Sequence, residues 1–90
     1  MSKFRLGTIV ATPGALEALA DSGETPAPFL ARHAAGDWGE VSLADRRAND
    51  DALQDGERLL STYKLRSGVK VWIVTEADRS STCILLPDEY

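Results

Sequence analysis

Val69-Lys70-Val71-Trp72-Ile73-Val74-Thr75-Glu76 decides the fold. Its β-branched and aromatic residues alternate with a period of two, the signature of a strand with two distinct faces. Val69, Val71 and Ile73 point one way, toward helices, and Lys70, Trp72 and Val74 point the other. Upstream, Ser67-Gly68 makes a tight turn from a strand over residues 58–65. Downstream, Ala77-Asp78-Arg79-Ser80 turns into a third strand over residues 81–86, which Pro87 stops. Asp88-Glu89-Tyr90 is a short acidic tail.

Ahead of this meander, residues 4–11 read as a first strand, with Phe4, Leu6 and Thr8 alternating. Three helices follow. Thr12-Pro13 opens one that runs through Gly14 to Asp21, with Leu16, Leu19 and Ala20 on one face and Gly23 as its left-handed stop. Thr25-Pro26 opens another over residues 27–35, closed by Gly36, with Phe29, Leu30, His33 and Ala34 along one side. Ser42 caps a third, from Leu43 to about Gln54, with Asp45 placed to reach back toward the cap. Its apolar stripe is thin: Ala44, Ala48, Ala52 and Leu53. The expectation is an α+β fold, a three- or four-stranded antiparallel sheet with two or three short helices on one face. Ninety residues make this a single domain, 1–90.

The net charge of −4 is unevenly placed. Residues 37–57 hold seven acids against two bases, whereas residues 1–36 balance and residues 58–90 carry a net +1. No basic stripe exists to neutralise phosphates, so no direct nucleic-acid binding is expected. No apolar run approaches the roughly 18 residues of a membrane span, and the first ten residues hold no secretory signal. Cys83 is alone, which excludes an internal disulfide and suggests the cytoplasm.

Candidate chemistry is sparse. His33 reads as a general base if a carboxylate such as Asp37 or Asp45 lies within reach, or as a helix-end histidine favoured by the dipole. Cys83 reads as a nucleophile or as a small buried hydrophobe; its apolar neighbours predict a buried, slowly reacting thiol. One His and one Cys cannot build a zinc tetrahedron, and Asp50, Asp51 and Asp55 lack calcium-loop spacing. No metal and no cofactor is expected. Asp78 and Arg79, in a turn after a buried strand, form either an exposed site or ordinary turn chemistry. Trp38, set between glycines, is a core anchor or a binding hot spot.

Several stretches together resemble a family of small bacterial proteins: Thr12-Pro13-Gly14-Ala15-Leu16, Arg32-His33, Gly36-Asp37-Trp38-Gly39, Lys70-Val71-Trp72-Ile73, the run from Thr75 to Ser80, Leu85-Leu86-Pro87 and Glu89-Tyr90. That family is carried on plasmids and integrative elements, and some members bear a restriction endonuclease subunit label. The resemblance implies an accessory protein of a mobile genetic element and transfers no catalytic residue.

Together these features predict a non-enzymatic acidic binding protein. It would inhibit a host or rival defence complex, anti-CRISPR or anti-restriction in kind, by protein–protein contact with a complex that handles nucleic acid. Asp45, Asp50, Asp51, Asp55, Trp38, Asp78 and Arg79 are the candidate partner-binding residues. The alternatives are a small hydrolase or toxin-like enzyme using His33, Asp78 and Arg79, and an accessory of plasmid maintenance.

Overall fold

Thr12 and Ser42 turn from extended backbone into helix by accepting a hydrogen bond from the main chain three residues on, at Ala15 and Asp45. In the computed structural model, which describes residues 2–90, these caps open α1 (Pro13–Asp21) and α3 (Leu43–Asp55). Pro26 opens α2 (Pro26–Ala34). The strands are β1 (Thr8–Ala11), β2 (Leu59–Lys64), β3 (Lys70–Thr75) and β4 (Ser81–Leu85), and a 3₁₀ turn spans Pro87–Glu89. The protein is α+β, with strand order β1-β4-β3-β2.

β2, β3 and β4 form the expected antiparallel meander. β1 departs from it and joins β4 in parallel, Thr8 beside Ser81 and Ala11 beside Ile84, so the sheet is mixed. The reason is topological. Antiparallel neighbours need only a hairpin, but three helices separate β1 from β2, and that long connection frees β1 to enter in the direction of the last strand.

One face of the sheet meets the helices. Ala15 and Leu19 of α1 and Phe29 of α2 pack with Tyr63, Leu65, Val71, Ile73 and Ile84. Leu16, expected inside, is half exposed, because α1 turns Ala15 inward in its place. The opposite face carries Trp72 and Cys83, and Tyr90 packs edge-on against Trp72 at 5.5 Å. Cys83 is accordingly half-buried and not buried as expected. Burial, with Glu89 and Glu76 nearby, still raises its thiol above the ordinary range.

The first strand also begins later than expected. Gly7 sits at φ +67°, where an added Cβ would strike the carbonyls of Arg79 and Ser80. That kink takes Phe4 off the strand and against a second cluster of Trp38, Ala52 and Leu59.

Edge strand β2 is closed by side chain and loop. Asn49 accepts from the Leu60 N–H at 3.1 Å and donates to the Leu60 carbonyl at 2.8 Å. The Thr62 N–H donates to the Trp38 carbonyl, and the Thr62 carbonyl accepts from Glu40. Asn49 is therefore buried in α3 together with Ala52, while Ala44 and Ala48, also expected in its apolar stripe, are exposed.

Gly39 makes this closure possible. It holds φ +76°, and a Cβ there would overlap the Thr62 carbonyl and lie 2.7 Å from the Tyr63 ring. Gly39→Ala combines left-handed strain with backbone overlap, so it should cost about 3 kcal/mol. Urea denaturation of the variant checks this; a loss below about 1 kcal/mol would show that the 38–40 loop can move away from β2.

Candidate partner-binding surface

α3 ends at Gly56, a left-handed cap whose N–H reaches the Ala52 carbonyl. Arg79 completes this end from across the molecule. One guanidinium nitrogen donates to the Glu57 carbonyl at 2.6 Å and also reaches the carbonyls of Glu76 and Ala77; the other donates to the Ala52 carbonyl at 3.1 Å. Arg79 itself sits at φ +61°, a conformation that a non-glycine residue adopts at a cost. Its contacts offset that cost by placing a cation at the negative end of α3.

Trp38 reaches α3 from the other side. Its ring is buried, 3% exposed, and its Nε1–H donates to Asp50 Oδ1 at 3.1 Å. Phe4 joins the two approaches, stacked on Trp38 at 6.2 Å and lying 5.7 Å beneath the Arg79 guanidinium. Trp38, Asp50 and Arg79, far apart in sequence, thus converge on α3. The turn that Arg79 anchors also carries Asp78, which accepts from the Ser80 N–H at 3.0 Å and is held below the usual carboxylate range by Ser80.

Two roles change as a result. Trp38 is a core anchor, and its buried ring offers no face to a partner. Arg79 spends its guanidinium on four carbonyls of its own chain. What stays exposed is acidic: Asp50, Asp51, Asp55, Glu57 and Asp78. Asp51 and Asp55 lie one turn apart on α3, both exposed, while Asn49 and Ala52 are buried. Asp45 is exposed in the first turn, away from that pair. Arg46 and Arg47 interrupt the helix surface between them.

His33 lies apart from this surface, fully buried. Its Nδ1 meets the Ser61 hydroxyl, and its Nε2 lies 2.8 Å from Thr75 Oγ1. Thr75 continues to Thr82 at 2.7 Å, and Thr82 donates to the Leu6 carbonyl at 2.6 Å. That carbonyl can only accept, which fixes the protons behind it as far as His33 Nε2. Thr82 gives its proton to Leu6, Thr75 gives its own to Thr82, and Thr75 must then accept from His33 Nε2–H. Burial, with the Arg79 charge nearby, lowers the imidazole pKa to about 4, so the ring is neutral near pH 7. With Nε2 carrying the proton, Nδ1 of that neutral ring is bare and accepts from Ser61. The imidazole is neither a dipole-favoured helix-end cation nor open to a substrate. The hydrolase alternative's three groups, His33, Asp78 and Arg79, are all engaged within the fold.

The apolar side of α2, shared by Phe29, Leu30 and Ala34, already placed His33 inward, but it did not name the groups that the ring would meet. Ser61, Thr75 and Thr82, each small and polar at an inward strand position, were the available signal. A surface cleft of about 200 Å³ lies beside the 38–40 loop, lined by Arg32, Gly39, Glu40, Thr62, Tyr63 and Lys64. Arg32 is committed there, stacked 4.6 Å over the Tyr63 ring and bonded to Asp37 at 2.7 Å. That bond is the main reason Asp37 titrates below its usual range. Among the described residues no group of three or more His, Cys, Asp or Glu side chains is arranged to hold a metal ion. No helix there is long and apolar enough to cross a membrane.

The His33 shift sets a pH window. An unfolded chain takes up the proton near pH 6.5, and the folded chain near 4. Stability is therefore full above about 6.5, falls as the pH drops toward 4, and this contribution is exhausted below it. The total loss is about 3 kcal/mol. Urea titrations between pH 7.5 and 4, with the imidazole followed by NMR, should show this slope and a folded-state midpoint near 4; a midpoint near 6.5 would contradict the buried neutral ring.

The chain matches no family model, and neither a curated protein nor a solved structure is detectably similar to it.

Proposed function

We propose that this protein is a non-enzymatic binding protein whose acidic α3 end docks on a basic surface of a nucleic-acid-handling complex. In the setting that the family resemblance implies, the complex is a host or rival defence machine, and the protein inhibits it by occupying a groove meant for nucleic acid. The supporting observation is the rigid seating of α3. Asn49 locks its middle to β2 and Arg79 locks its end to the β3–β4 turn, which holds Asp51, Asp55 and Asp78 outward. Fixed charge suits electrostatic recognition, because no ordering cost is added on binding.

Asp51 and Asp55 are the diagnostic pair, since neither enters an ion pair or side-chain hydrogen bond among the described residues. Asp51→Asn with Asp55→Asn should leave folding stability within about 0.5 kcal/mol. Immobilised parent protein should retain one stoichiometric multi-subunit complex from a bacterial lysate at low salt. The double variant should lose most of it, and the difference should shrink as salt rises. Equal retention by both would count against the acidic face and leave the cleft beside the 38–40 loop as the surface to examine.

A further inference from the structure

The two edges of the sheet are finished differently. On β2 the outward N–H and C=O groups of Leu60 and Thr62 are all taken by Asn49, Trp38 and Glu40. On β1 the N–H groups of Thr8 and Thr12 donate to the Ser80 and Ile84 carbonyls. Alternation then points the main-chain groups of Thr8, Val10 and Thr12 at β4 and those of Ile9 and Ala11 outward. Ile9 and Val10 are 49% and 48% exposed, one on each face of the sheet. β1 itself carries no lysine, proline or bulge of the kinds that blunt an edge.

We infer that β1 is a self-pairing edge whose partner is a second copy of this chain, joined antiparallel about a two-fold axis at Val10. In that register Ile9 of one copy faces Ala11 of the other, and each pair exchanges two main-chain hydrogen bonds. All four outward donors and acceptors on each strand are satisfied. Val10 meets Val10 of the second copy in the closely spaced pair between them, and the two sheets become one of eight strands.

Charge selects this arrangement. Arg5 stands just before β1, exposed and in no ion pair among the described residues. Glu89 stands at the other end, where its Oε1 accepts from Thr12 Oγ1 at 2.7 Å. An antiparallel pair brings the basic approach to each strand to the same end as the other's acidic Glu89, twice; Gly7 turns the chain between Arg5 and β1, so this attraction acts at a distance and weakens with salt. A parallel pair would set like beside like. An unrelated extended peptide could satisfy the same main-chain groups but would not carry this two-fold match. Four residues per strand make a small interface, so the dimer is weak and reversible.

Sedimentation equilibrium at low salt, from about 10 µM to about 1 mM protein, should show a monomer–dimer equilibrium with Kd on the order of 100 µM. Ile9→Pro removes one outward N–H while leaving the β1–β4 ladder intact, since proline is tolerated on an edge where its nitrogen faces solvent. Val10→Arg sets two like charges against each other at the axis. Each variant, with its fold verified by circular dichroism, should weaken the dimer more than tenfold. A parent chain that stays monomeric at about 1 mM would overturn the inference, as would a folded Val10→Arg variant that dimerises as well as the parent.

Discussion

A single proton-ordered chain, from the Ser61 hydroxyl through His33, Thr75 and Thr82 to the Leu6 carbonyl, ties this fold together. It joins α2, β2, β3, β4 and the segment leading into β1, five pieces that local sequence signals do not connect. Thr75 and Thr82 each donate once and accept once, Ser61 donates, and the imidazole passes the polarity from one side to the other. Such a chain tolerates no missing member, because a gap would leave a buried polar group without a partner, and burial keeps its imidazole neutral. Among the described residues no buried side-chain polar atom lacks one. The apolar cluster around Leu19, Phe29, Val71 and Ile73 supplies the burial, while the polar chain specifies which strands and which helix come together.

The acidic end of the molecule depends on a second set of main-chain contacts. α3 contributes little apolar surface, and its middle is held by an asparagine that imitates a neighbouring strand. Its end is held by an arginine in a conformation usually left to glycine. Both devices bond main-chain groups, those of β2 in the first case and of the helix end in the second, and leave Asp51 and Asp55 to solvent. Phe4, Trp38 and Arg79 fill the space beneath, so the aromatic and cationic residues that look like binding groups in the sequence serve instead to support the acidic surface.

What the sequence disclosed was local. Thr-Pro and Ser starts, glycine stops and the period-two run around Ile73 placed the helices and the meander to within a residue or two. What it hid was pairing over distance. The direction of β1 depends on where three helices deliver the chain, and Asn49 reads as a polar surface residue until β2 is set beside it. The acidic character of residues 37–57 was plain in the sequence, yet which carboxylates stay outward follows from how Asn49 and Arg79 rotate α3. Leu16 and Ala15 exchanged places for the same reason: a short helix with many alanines leaves its buried face to be chosen by its neighbours.

The parallel pairing of β1 with β4 also sets the order of assembly. β2, β3 and β4 are joined by short turns and can form soon after they are synthesised, but Thr8 must find Ser81 across nearly the whole chain. Closing so long a loop is entropically costly and slows folding relative to local contacts. During synthesis the first strand leaves the ribosome long before its partner exists. Until β4 follows, Ile9 and Val10 have no sheet to join, and once β4 emerges its own free edge stays open until they arrive. The nascent chain thus has an interval in which both future neighbours are bare, and in that interval chaperone capture or pairing with another chain competes with completion of the sheet.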